Sequence, residues 1–206
     1  MQALNHFMVN RHWDKRLGID TRGYIDLPKK HQDLGTRTES TDYLVLEEIF
    51  TSYQPGANSH LVDFGCGKGR VLFYIHYKFG IPATGIEINP ITLDALAGNL
   101  VGYQRKMGGQ LAIDYFAGDG REYQIKSQQN LFYFFNPFSL PVFQRVLFNI
   151  QTSYWQSPRP IDMLVYYPLE EIQDWLNQQD WLMIKDIINL KTGSDPEDYV
   201  VIYQFV

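Results

Sequence analysis

From residue 58 onward, short apolar runs alternate with amphipathic stretches, the pattern of βα units stacked into a parallel sheet. His60 to Phe64 reads as a buried strand, and Arg70 to Phe79 as a helix with Val71, Leu72, Ile75 and Phe79 on one face. Ala83 to Ile88 is a second strand. Pro90 then sits where a first helical turn tolerates proline, ahead of Leu93, Leu96, Ala97, Leu100 and Val101 at helical spacing. Leu111 to Ala117 and the aromatic run Leu131 to Phe135 supply strands three and four, and Val142, Val146, Leu147 and Ile150 mark the next helix. Asp162 to Tyr167 is a fifth strand, followed by a short helix over Pro168 to Gln178 with Leu169, Ile172 and Leu176 facing inward.

The two ends break this rhythm. Trp181 to Leu190 and Tyr199 to Val206 both read as extended and are joined by the polar loop Lys191-Thr192-Gly193-Ser194-Asp195-Pro196. Five parallel strands followed by an antiparallel pair differ from a plain dinucleotide fold, whose last strands are also joined through helices. Before the first strand, Thr36 to Thr41 is rich in capping residues, and Tyr43, Leu44, Leu46, Glu47, Ile49 and Phe50 suggest a helix. Residues 1–40 are left as an N-terminal extension to a single domain over 41–206.

Composition narrows the class. At 206 residues, 45% hydrophobic and 20% charged, the chain has the makeup of an ordinary globular domain and not of a disordered segment. A single cysteine, Cys66, rules out an intrachain disulfide and a cysteine-rich zinc site, and no metal site is predicted. The first sixteen residues lack the apolar run of a secretion signal, and no stretch approaches the ~20 apolar residues of a membrane span. A reducing cytoplasm is the expected location. Net charge is −5, yet residues 1–37 hold seven Lys or Arg against four Asp, leaving −8 for the remainder. With His6, His12 and His31, that segment reads either as a solvated extension or as a basic flap over an anionic substrate such as RNA.

The strongest chemical signal is Leu61-Val62-Asp63-Phe64-Gly65-Cys66-Gly67-Lys68-Gly69-Arg70, a strand running into three alternating glycines and a helix. Such a loop turns sharply, lets a ligand approach the backbone and presents helix-start amides to an anionic group. The dinucleotide fingerprint is G-x-G-x-x-G, whereas this loop is G-x-G-x-G. Twenty-two residues after Gly65, Glu87 ends the second strand, beside Ile88, where a carboxylate accepts both hydroxyl hydrogens of a ribose. Gly118-Asp119-Gly120 follows the third strand and reads by itself as a capped turn. Cys66, flanked by glycines and without a nearby histidine, reads as small filler and not as a nucleophile.

Over roughly residues 36–206 the chain resembles the class I S-adenosylmethionine (SAM)-dependent methyltransferase family. The resemblance implies an α/β fold, a Rossmann-like doubly wound seven-stranded sheet, mostly parallel with an antiparallel C-terminal strand. It implies SAM as cofactor, with its methionine end wrapped by the loop of Gly65, Cys66, Gly67 and Gly69 and its amino group met by Asp63. Glu87 and Ile88 then fall at the ribose, and Asp119 and Gly120 at the adenine. Asn136-Pro137-Phe138 resembles the Asn-Pro-Pro-Tyr/Phe motif of enzymes that methylate planar amines or glutamine amides, with one proline missing. By that likeness Asn136 lies beside the cofactor, and Asn136 and the Pro137 carbonyl orient an acceptor nitrogen; Phe134, Phe135 and Phe138 read either as an apolar wall beside that nitrogen or as core. Thr41 and Tyr43 fall where such enzymes place residues that close over SAM.

Three functions follow as alternatives. The first is an active methyltransferase acting on a protein lysine or another nitrogen, then on RNA, then on a small molecule. The second is a noncatalytic SAM-binding or interaction module. The third is an NAD-dependent oxidoreductase, which the short glycine loop and terminal strand pair disfavour.

Overall fold

The computed structural model describes residues 2–26, 39–192 and 198–206, with side chains from residue 5 onward. His31, the Thr36 to Thr38 part of the predicted capping run, and Gly193 to Pro196 of the terminal loop lie outside the described residues. The strands are β1 (Leu61–Phe64), β2 (Ala83–Glu87), β3 (Ile113–Ala117), β4 (Leu131–Phe135), β5 (Asp162–Tyr166), β6 (Leu182–Asn189) and β7 (Tyr199–Phe205). The helices are α1 (Gln2–Leu17), α2 (Tyr43–Ser52), α3 (Arg70–Phe79), α4 (Pro90–Met107), α5 (Leu140–Gln156) and α6 (Glu170–Leu176), and a 3₁₀ turn spans Gly120–Glu122.

The seven strands form one sheet in the order β3-β2-β1-β4-β5-β7-β6. β1 to β5 run parallel, and β7 is antiparallel to both neighbours, so it is inserted between β5 and β6. The chain leaves β1 towards β2 and β3, then returns to lay β4 on the other side of β1. That reversal opens a crevice beyond the carboxyl ends of β1 and β4, where open α/β sheets bind ligands.

Strand alternation splits the core in two. Leu61, Tyr133, Leu164, Val200 and Ile202 face α1 to α4, while Val62, Phe132, Phe134, Met163, Val201 and Tyr203 face α5 and α6. Phe134 therefore lies in the interior, stacked on Phe64 at 5.1 Å between ring centroids, and is not part of a wall at the crevice.

Elements begin and end where local chemistry dictates. Gly80, with φ of 67°, closes α3 in the left-handed conformation. Asn89 caps α4 by accepting the Ile91 amide at 3.1 Å ahead of Pro90. Asp42 precedes α2 but makes no side-chain cap; it binds His6 and Asn10 of α1 instead.

The stretch treated as an extension in the sequence analysis contains an ordered helix. α1 buries Trp13 and Leu17 against α2, α3 and α4. Gly102 of α4 admits it: a Cβ there would lie 2.2 Å from the Gly18 carbonyl oxygen. After α1, residues 19–26 run as a strap. Asn99 binds Asp20 through both its amide N–H and its carbonyl, Lys68 donates to the Arg22 and Gly23 carbonyls, and Asn89 donates to Asp26.

Candidate functional site

The glycine loop and the Asn136 turn meet across the crevice. Gly65 leaves β1 with φ of 75°, and a Cβ there would lie 2.6 Å from the Pro137 Cβ, so only glycine allows the two turns to touch. Phe138 packs against Gly120 on the next loop, with its Cζ 3.1 Å from where a Cβ would stand. The turn of Asn136, Pro137 and Phe138 thus lies against Gly65 and Gly120.

Backbone strain concentrates at the same end of the sheet. Among the described residues, the non-glycine positions with positive φ are Asn136 (43°) and Tyr167 (50°). They follow the paired ends of β4 and β5, where Phe135 is opposite Tyr166. Asparagine tolerates this region, whereas a bulky tyrosine is a true outlier, and such outliers gather at binding sites. Tyr167 was not picked out from sequence, because nothing in Tyr166-Tyr167-Pro168 other than the proline marks a strained turn.

Glu87 is buried, 6% exposed, and accepts the backbone N–H of Gly67 at 3.0 Å and those of Ile88 and Asn89 at 2.8 Å. Burial pushes its carboxyl up, and the three amides pull the other way. Glu87 thereby ties the second strand end to the glycine loop and holds the Ile88 amide, whatever else it binds. Asp119 caps the 3₁₀ turn through the Arg121 amide at 2.9 Å and pairs with the Arg121 guanidinium at 2.6 Å, which is the turn-capping behaviour expected of Gly-Asp-Gly. Cys66 is buried, its Sγ 2.5 Å from where a Cβ on Gly85 would stand, and burial pushes its thiol well above the usual range. Such a thiol is inert filler by its chemistry.

Beneath the glycine loop lies a small, open-mouthed pocket lined by Glu39, Thr41, Asp63, Cys66, Arg70 and Phe135 among others. Asp63 is 3% exposed and takes no hydrogen bond among the described residues. Burial, with Glu87 adding to it, pushes its carboxyl up to about 8. Arg70, 4% exposed, lines the same pocket, donating to Thr21 Oγ1 at 2.7 Å and to the Thr41 carbonyl at 3.0 Å, with Tyr43 under its guanidinium at 4.8 Å. Thr41 reaches the pocket and meets the Tyr133 hydroxyl at 2.9 Å, whereas Tyr43 is turned away, donating to Asp14 at 2.8 Å.

Arg70 and Tyr133 were missed in the sequence. One signal for Arg70 existed: a cation at the first position of a helix opposes the helix dipole, so it needs another reason to be there. Lys68, Asn89 and Asn99, which hold the strap, carried no such mark.

No protein-family model and no curated protein matches the chain by sequence. Solved structures do match in shape. An RNA methyltransferase from Salinibacter ruber in complex with S-adenosyl-L-homocysteine is 17% identical, with a TM-score of 0.59 over 81% of this chain and 94% of that one. The glycopeptide N-methyltransferase MtfA complexed with SAM is 9% identical, with a TM-score of 0.59 over 79% of this chain and 93% of that one. The mitomycin 7-O-methyltransferase MmcR is 16% identical, with a TM-score of 0.58 over 77% of this chain and 52% of that one, so the chain spans about half its length. By strand order, by the inserted antiparallel β7 and by these likenesses, the chain has the fold of the class I SAM-dependent methyltransferases.

Proposed function

We propose that the protein is a SAM-dependent methyltransferase whose acceptor atom is a nitrogen, of a protein lysine or a comparable amine. The observation that carries the cofactor assignment is Asp63, a buried carboxyl that takes no hydrogen bond among the described residues, in a pocket walled by the glycine loop. With its carboxyl held up near 8 the free chain keeps it protonated, and a ligand ammonium pairs with the carboxylate and offsets the cost of ionising it there. The methionine end of SAM carries one, together with a carboxylate that suits Arg70 on the same wall. Glu87 serves the ribose with whichever lone pairs the Gly67, Ile88 and Asn89 amides leave free, and Asp119 and Gly120 serve the adenine edge.

When bound, the cofactor supplies an activated methyl group on a sulfonium. The chain supplies alignment. Asn136, fixed by its turn against Gly65, presents a carboxamide that accepts an N–H of the acceptor, and the Pro137 carbonyl takes a second. Phe135 and Phe138 keep the approach apolar, which lowers an amine pKa and favours the neutral nucleophile. The strap over residues 19–26, with Glu39, Ser40 and Thr41 at the pocket, forms a flap over the site. The lone buried Cys66 suits a reducing cytoplasm, and among the described residues no helix is long and apolar enough to cross a membrane.

Calorimetric titration of the purified chain with SAM and with NADH tests the cofactor. Micromolar SAM binding is expected, lost in Asp63→Asn and weakened at least tenfold in Glu87→Gln, which keeps one acceptor for the loop amides. NADH binding without SAM binding would restore the oxidoreductase alternative. With SAM bound, a labelled-methyl screen of protein, RNA and small-molecule fractions identifies the acceptor, and failure to label any would leave a noncatalytic SAM-binding module.

A further inference from the structure

β6 is an edge strand that no other strand among the described residues pairs on its outer side. Its exposed run is unusually apolar for an edge: Met183 is 46% exposed, Ile184 43% and Ile187 45%. Natural edges are blunted by charges and bulges, and β6 has both, in Lys185, Asp186 and the irregularity between Ile184 and Asp186. An edge built only to repel would not flank them with three exposed apolar side chains.

The bulge fixes which side chains share a face. Leu182, Ile184 and Ile187 pair with Phe205, Tyr203 and Val201 and so stand on the α5–α6 face. Met183, Asp186 and Ile188 pair with Gln204, Ile202 and Val200 and stand on the α1–α4 face. Lys185, the extra residue, also turns to that face, reaching Asp162 at 2.7 Å and lying 5.7 Å over the Tyr53 ring. A second copy laid antiparallel about a two-fold axis must match faces residue for residue, because a one-residue slip sends every side chain to the wrong side. One register does so along the strand: Lys185 opposite Asp186, Ile184 opposite Ile187, Met183 opposite Ile188 and Leu182 opposite Asn189. In that register each lysine meets the other copy's aspartate, and the isoleucines form a continuous row.

We propose that β6 is a self-complementary docking edge through which two copies of this chain join their sheets, with the Lys185–Asp186 pair setting the register. The dimer is independent of the cofactor assignment. A seam of one strand per copy is a small interface, so its dissociation constant falls in the micromolar range.

Sedimentation velocity of the full chain from about 1 to 100 μM should show a reversible shift from monomer to dimer. Ile187→Lys, at an exposed position, should hold the chain monomeric without lowering its melting temperature. Lys185→Glu and Asp186→Lys should each be monomeric alone, because like charges then face each other, and should associate when mixed, because the mixed pair is complementary at both positions. That rescue in trans separates register pairing from damage to the Lys185–Asp162 ion pair within one chain. A wild type that stays monomeric throughout, a dimer indifferent to Ile187→Lys, or single variants that do not associate on mixing would each overturn the proposal.

Discussion

Asp14 and Asp63 are equally buried, each 3% exposed, on the α1–α4 side of the sheet, yet they are treated in opposite ways. Asp14 accepts the Tyr43 hydroxyl, the Thr21 amide and the Thr21 hydroxyl, each at 2.8 Å, so its charge fastens α1, the strap and α2 together. Asp63 accepts nothing among the described residues and is pushed up to about 8. A buried carboxyl group with a full set of donors is a structural rivet; one without them is held in its protonated form, and ionising it costs free energy until a ligand cation relieves it. The same residue type at the same depth therefore marks architecture in one place and a binding site in the other.

Removing the rivet should have the largest effect. Asp14→Ala leaves a buried hydroxyl, a threonine amide and a threonine hydroxyl without an acceptor, which should cost about 3 kcal/mol in urea unfolding. A loss under about 1 kcal/mol would mean that water replaces the carboxylate and that α1 is held by Trp13 and Leu17 alone.

Asp63→Asn should act in the opposite direction, stabilising the cofactor-free chain by about 2 kcal/mol at pH 8 while abolishing SAM binding. A carboxyl held above its unfolded value keeps its proton in the folded chain where the unfolded chain has already lost it. Stability of the free protein should thus fall as pH rises from about 4 to about 8 and level off above that. The variant's advantage should shrink toward pH 5, as followed by thermal melts across that range. Equal melting temperatures for the two proteins at pH 8 would show that Asp63 is satisfied in the free protein.

The sequence disclosed the sheet and the strand ends that meet at the crevice better than it disclosed the packing of the N-terminal segment. The loop from Asp63 to Gly69, Glu87, and the Asn136 turn were legible because glycine, acid and proline at strand ends have few structural uses, and the structure brings them to one crevice. The sheet was legible through its apolar runs, including the terminal pair. α1 was not, because its inner face is a narrow stripe of Val9, Trp13 and Leu17 completed by polar side chains. His6 and Asn10 bind Asp42, Trp13 donates to Glu47 at 3.1 Å, and Asp14 binds Tyr43. A helix docked by hydrogen bonds leaves almost no 3.6-residue hydrophobic period to detect. Arg70 was hidden for a related reason: its partners are mostly backbone carbonyls, which no side-chain pattern reveals.

The smallest effect sharpens the comparison by asking how far the rivet reaches along the strap. Asn99, 7% exposed on α4, accepts the Asp20 amide at 2.8 Å and donates to the Asp20 and Lys68 carbonyls at 3.0 Å, joining strap and glycine loop from the side opposite Asp14. Asn99→Ala should cost only about 1 kcal/mol, because Arg70 and Asp14 still hold Thr21 one residue away. Hydrogen exchange should separate two outcomes. If the strap opens as a unit of its own, the Asp20 amide should exchange about tenfold faster while amides of β1 and β4 are unchanged. If strap and glycine loop open together, the Gly67 amide bonded to Glu87 should accelerate by the same factor, and the strap would then regulate access to Asp63 directly.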